Sequence, residues 1–159
     1  MSNNAPLLDP HNASRDCRHT DIILSMQPDP YIPQILQGQK THEFRKYPLP
    51  ESTRRVWMYI TAPVSAIKYI CTIGPATVRG AGVALPENGI GNVEFNSRGG
   101  GWKHGGYAYE LLDVCELPHE IGLPELKQKY GLKGPPRRWL YLPEKIEREK
   151  ILSSLKRIR

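Results

Sequence analysis

Between Gly38 and Lys46 the sequence reads GQKTHEFRK, which sets Lys40, Glu43 and Arg45 close together in a stretch of strand-forming character. Side chains alternate along an extended segment, so Thr41, Glu43 and Arg45 share one face while His42, Phe44 and Lys46 share the other, with Phe44 the natural core anchor. A lysine, a carboxylate and an arginine at the rim of a sheet can bind a polar ligand, position a phosphate, or pass a proton between Lys40 and Glu43. The same residues also suit an ion-pair cluster closing a turn, and spacing alone leaves both readings open. Further along, Arg137 and Arg138 precede Trp139, pairing cations with an aromatic as a grip on phosphate and base does. Trp102 and Lys103, set among glycines, form a candidate contact loop for unpaired bases.

The elements that position these residues follow from pattern. Ile22-Ile23-Leu24 is a short β-branched strand that ends at Ser25-Met26-Gln27-Pro28. Asp29 reads as an N-cap, Pro30 as the first helical residue and Gly38 as the stop, which predicts a short helix carrying Ile35 and Leu36 on its apolar stripe. Lys40 to Lys46 is a strand. Val56 to Thr61 is the strongest strand former in the chain and should be central, with Trp57 as packing and Tyr59 and Thr61 approaching the rim. Ala66 to Ile73 alternates as a further strand. Residues 74–106 hold ten of the fourteen glycines and read as a long loop or insertion. Tyr107 to Leu117 returns to strand, Pro124 to Tyr130 is a helix stopped by Gly131, and Arg137 to Leu142 closes the sheet. Pro143 to Arg159 reads as a basic helix with Ile151, Leu155 and Ile158 along one side.

Composition bounds the rest. A chain of 159 residues can bury one core unaided, and its net charge of +6 suits an anionic partner. The excess is divided: residues 144–159 carry six basic and three acidic side chains, and residues 21–143 carry fourteen against eleven. No apolar stretch approaches the roughly 18 residues that cross a bilayer, so no membrane association is expected. The polar start of the chain resembles no leader peptide, which suggests a disordered arm in a cytoplasmic or nuclear protein. Three cysteines form no CxxC pair and the histidines show no ligand spacing, so no metal is expected. No P-loop, dinucleotide fingerprint, GxSxG elbow or HExxH occurs, and no cofactor is expected.

Taken together, Ile22 to Pro28, the GQKTHEFRK segment with its G-x-K-x-x-E-x-R spacing, VWMYITAPVSA and the closing GPPRRWLYL resemble the ASCH domains of the PUA-like superfamily. The resemblance covers about residues 21–142. It implies an α+β domain built on a small, mixed, mainly antiparallel β-barrel with one or two covering helices. An N-terminal arm, residues 1–20, would precede the domain and the C-terminal helix, residues 143–159, would follow it. The superfamily binds RNA or modified nucleobases; some small ASCH proteins hydrolyse acylated nucleosides with a lysine, a threonine and a glutamate, and ribonuclease activity is associated with others. Lys40 matches that lysine, while the threonine position is occupied by Glu43, with Thr41 nearby. The resemblance therefore implies a cleft between the first helix and the barrel that takes an RNA base, nucleotide or nucleoside, RNA ahead of DNA. Ser25, Gln27, Lys40, Glu43, Arg45, Tyr59 and Thr61 would line it, with Trp102, Lys103, Arg137 and Arg138 as outer contacts. The alternatives are a metal-independent hydrolase using Lys40 and Glu43 as acid and base, and a protein-interaction module of the transcription-coregulator type.

Overall fold

The first strand, β1 (Asp21–Met26), is buried along nearly its whole length, so its apolar run faces packing on both sides. It lies parallel to β3 (Arg55–Ile60), with Ile22 opposite Val56 and Leu24 opposite Met58. This computed structural model describes residues 20–97, 105–149 and 155–159. The proposed arm up to residue 19 lies outside them, as do Trp102, Lys103 and Ile151. The remaining strands are β2 (His42–Arg45), β4 (Ala66–Val78), β5 (Tyr107–Gly122), β6 (Trp139–Tyr141) and β7 (Lys156–Arg157). They join in the order β2-β5-β4-β3-β1-β6, with β7 added to β5, and every pairing except β1 with β3 is antiparallel. The expected mixed α+β architecture holds, with the sheet curved as a half-barrel.

Period-two alternation along β3 divides the core. Val56, Met58 and Ile60 face one cluster with Leu24, Cys71, Leu111 and Val114, covered by Ile32 and Ile35 of helix α1 (Tyr31–Leu36). Trp57 and Tyr59 face the other, with Ile23, Ile67 and Ile121. Leu126 of α3 (Leu123–Gln128) and Ile146 of α4 (Glu144–Glu149) cover that side. Each fully buried Ile or Leu contributes about 1.5–3 kcal/mol relative to exposure, so the two faces together drive folding. The parallel β1–β3 register is fixed by Asp21, which is wholly buried and accepts from Trp57 Nε1 at 2.9 Å and Arg55 Nε at 3.0 Å.

Several expectations are corrected. Helix α1 is preceded by Pro30 as its cap residue, with no side-chain cap bond, so Asp29 does not cap it. Strand β2 begins at His42 because the Lys40 N–H and C=O are engaged in the preceding turn, by Gln34 and Arg159 respectively. Its Phe44 packs on a satellite cluster of Leu85, Phe95 and Ala108 rather than on either main core. The glycine-rich stretch is not a plain loop: β4 runs on to Val78 against β5, and helix α2 (Asn92–Asn96) buries Asn92 and Phe95. The tail is not one helix. Among the described residues helix α4 spans Glu144–Glu149, and Lys156–Arg157 pair with Cys115 and Glu116. Ile158 is exposed, and its N–H bonds Val114 O at 2.8 Å, since a strand ladder satisfies the backbone where a lone apolar spacing cannot. The closing strand is shorter than expected and leaves Arg137 and Arg138 outside it. Among the described residues no helix is long and apolar enough to cross a membrane.

Candidate functional site

Three segments converge at one end of the sheet: the end of β1, helix α1 with the turn that follows it, and β2. Gly38, in the left-handed region at φ 76°, turns the chain out of α1, and Gln34 O accepts from both Gln39 N and Lys40 N. The Lys40 side chain then points back over two rings, its Nζ 4.5 Å from the centre of Phe44 and 5.4 Å from that of Tyr31. Glu43 lies beside it, with Oε2 3.9 Å from Lys40 Nζ, an ion pair too long for a hydrogen bond. The other carboxylate oxygen accepts from Arg45 Nη2 at 2.9 Å, and the same nitrogen reaches Ser25 O at 3.0 Å. These bonds tie β2 to the end of β1 and bound a cavity of about 410 Å³.

Ser25, Met26 and Gln27 form one wall of this cavity and Lys40, Glu43 and Arg45 its floor, while Tyr31, Phe44 and Lys46 supply the remaining lining. Three cations and one carboxylate therefore line the cavity, giving an electropositive pocket with aromatic surface. Burial lowers the pKa of Lys40; neighbouring Glu43 opposes the shift and Arg45 reinforces it. Two buried polar atoms here, Glu43 Oε2 and Arg45 Nε, have no hydrogen-bond partner. A buried acceptor and donor left open beside a cavity fit a ligand that brings the complementary groups.

Behind the floor, a second polar group holds β2 from the other side. Thr41 Oγ1 lies 2.8 Å from His42 Nδ1 and accepts from Asn92 Nδ2 at 3.1 Å, and Asn92 also donates to Pro86 O at 2.8 Å. Thr41 is thus engaged with helix α2 and does not line the cavity. Phe95 of the same helix stacks on Phe44, with ring centres 5.4 Å apart, so α2 backs the ring on which Lys40 sits.

Of the residues singled out from sequence, Ser25, Gln27, Lys40, Glu43 and Arg45 come together at this cavity. Tyr59 and Thr61 do not line it. Tyr59 is fully buried with Trp57 on one face of β3, and Thr61 donates its N–H to Met26 O. Arg137 and Arg138 are exposed just beyond the Ser25 wall: Ser25 Oγ donates to Pro136 O, and Ser25 N donates to Arg138 O at 3.2 Å. The Arg138 guanidinium lies 4.9 Å over the Tyr47 ring. Trp102 and Lys103 fall outside the described residues. The sequence reading missed Tyr31 as a lining residue; this half-exposed ring at the start of α1 borders the cavity, next to buried Ile32. Among the described residues no cluster of His, Cys, Asp or Glu could hold a metal ion.

The same half-barrel occurs in solved structures. The crystal structure of ASCH from Zymomonas mobilis aligns with a TM-score of 0.57 at 23% identity, covering 87% of this chain and 97% of that one. The chain has the fold of an ASCH domain. Serine-to-alanine and tyrosine-to-phenylalanine mutants of the Zymomonas protein align equally well, at TM-scores of 0.57 and 0.56 and identities of 23% and 22%. They cover 82% and 86% of this chain and 94% and 99% of theirs. No family model matches the sequence, and no curated protein matches it. Within the ASCH fold, the pocket sits where α1 and β2 close over the end of β1, and its lining residues fall between Ser25 and Lys46.

Proposed function

We propose that the pocket binds a nucleobase or nucleotide of RNA. Lys40 and Arg45 engage phosphate or carbonyl oxygens, Glu43 accepts from base N–H groups, and the half-exposed Tyr31 ring offers a stacking surface. The observation that carries this reading is the pairing of unpartnered Glu43 Oε2 with the Lys40 cation over aromatic surface, inside a cavity of about 410 Å³. A base edge presents a donor beside an acceptor, and a phosphate supplies the negative charge that a pocket with more cations than anions attracts. Arg138 and Arg137, exposed beyond the Ser25 wall, extend the positive surface for a neighbouring phosphate.

One observation favours a second reading, hydrolysis with Lys40 and Glu43 as acid and base. Burial lowers the Lys40 pKa, which brings a lysine nearer to working range, and the Glu43 carboxylate lies 3.9 Å from its Nζ. A single set of variants separates the two. Under the binding reading, Lys40→Ala and Arg45→Ala weaken affinity for single-stranded RNA and flatten its salt dependence, with no product from any arm. Under the hydrolytic reading, Glu43→Gln abolishes turnover of RNA or an acylated nucleoside while sparing affinity. Wild-type affinity and salt slope in both cationic variants, with no turnover to lose, exclude this pocket from either role.

A further inference from the structure

We propose that Arg159 is a positioning residue for the Lys40 site, holding from behind the turn that presents the lysine to the pocket. Lys40 is held by its backbone at both ends. Its N–H donates to Gln34 O at 3.0 Å, and its C=O accepts from Arg159 Nη1 at 3.3 Å. The same nitrogen donates at 3.1 Å to Ile35 O, a carbonyl in the last turn of α1 that also accepts from Gly38 N at 3.1 Å. One guanidinium thus ties the end of α1 to the residue that opens the pocket floor, and a cation at a helix C-terminus also complements the helix dipole. The guanidinium runs against Gly38, where an added Cβ would meet Arg159 Nε at 3.4 Å, so the left-handed turn residue and the arginine fit each other.

The arginine is itself anchored by the sheet. Strand β7 pairs with β5, Val114 N donates to Arg159 O at 3.0 Å, and Arg159 N returns a bond to Val114 O at 3.3 Å. β2 pairs with β5 at Tyr107 to Glu110 and β7 at Cys115 and Glu116, so the two lie along β5 in succession. This places the tail directly behind the turn at Lys40. Side-chain placement follows: with the turn fixed, the Lys40 stem lies over Tyr31 and Phe44, and its charge faces Glu43 and Arg45 from β2, with His42 the further titratable neighbour.

The test reads Lys40 directly and needs no ligand. The Lys40 side chain is followed by NMR through an alkaline titration in the wild type, Arg159→Ala, Arg159→Lys and the control Arg157→Ala. Its resonance is assigned with Lys40→Arg. Burial lowers this pKa, so releasing the turn into water raises the midpoint; a rise of about half a pH unit or more is expected for Arg159→Ala. Partial return with Arg159→Lys and no change with Arg157→Ala are also expected. A folded Arg159→Ala protein that keeps the wild-type midpoint overturns the proposal, and so does an equal shift in Arg157→Ala, which would make β7 a general staple. If Arg159→Ala does not fold, Arg159→Lys decides: a raised midpoint supports the role and an unchanged one overturns it. A companion titration with adenosine 5′-monophosphate rests on the nucleotide-pocket reading, and Arg159→Ala should weaken that binding several-fold. Failure of the wild type to bind it counts against the pocket reading alone, because the Lys40 titration still decides the role of Arg159.

Discussion

Replacing Phe95 by alanine tests whether the glycine-rich segment is a structural part of the site. Phe95 is 1% exposed and stacks on Phe44 at 5.4 Å with 29° between the ring planes, in a cluster otherwise made by Leu85 and Ala108. Removing a buried phenylalanine costs about 3–5 kcal/mol in transfer and cavity terms, and the stacked pair adds roughly 0.5–1.5 kcal/mol within that range. The cluster is small and lies beside segments that can relax, which places the loss near the lower bound, about 3 kcal/mol. For a chain of this size that corresponds to a fall in Tm of about 6–12 °C. Urea unfolding and a thermal melt of Phe95→Ala, beside Val93→Ala on the exposed side of the same helix, give the comparison. Val93→Ala should stay within about 0.5 kcal/mol of wild type. A loss below about 1 kcal/mol for Phe95→Ala would refute the reasoning, since the helix would then hold neither Phe44 nor the lysine above it.

Two further outcomes follow from the buried polar groups. Asp21→Ala strands Trp57 Nε1 and the Arg55 guanidinium at the parallel strand pair and should cost about 3 kcal/mol in urea unfolding; a change under 1 kcal/mol would mean the register is set by apolar packing alone. Burial lowers the pKa of His42, Glu110 opposing and Lys40 reinforcing, so the unfolded chain takes up the proton first as pH falls below the ordinary value of about 6.5. Stability therefore declines from that point until pH passes the folded pKa, and His42→Gln should flatten the decline; an unchanged profile in that variant would show that other groups carry it.

How much of this was readable in the sequence depended on whether local pattern or tertiary pairing decided each point. The strands at Ile22 and Val56 are runs of β-formers that no alternative pairing would waste, and Gly38 after a short apolar stripe marks the turn into β2 correctly. Tyr59 was expected to approach the rim but is buried beside Trp57, because VWMYI is apolar on both faces and alternation alone could not say which of its residues reach the cavity. The cavity is lined instead by residues between Ser25 and Lys46, none of them in β3. Phe95 and Asn92 give little local signal among glycines, and their weight comes from Phe44 in β2 and from Thr41 just before it. The tail misled for a related reason. Leu155 and Ile158 have helical spacing, yet the open edge of β5 offers backbone partners that a short exposed helix lacks. Arg159 has no local signature at all, since its two acceptors lie at Ile35 and Lys40.

The central claim is that the cavity floored by Lys40, Glu43 and Arg45 receives a nucleotide of RNA. It is tested most directly by titrating isotope-labelled protein with a short single-stranded RNA and mapping the perturbed NMR resonances, with Lys40→Met alongside. The account predicts perturbations converging on Ser25, Tyr31, Lys40, Glu43 and Arg45. It also predicts an affinity loss of about tenfold to a hundredfold in Lys40→Met, the weight of a hydrogen bond to a charged group. Perturbations confined to the tail and α4, or undiminished affinity in Lys40→Met, would contradict it.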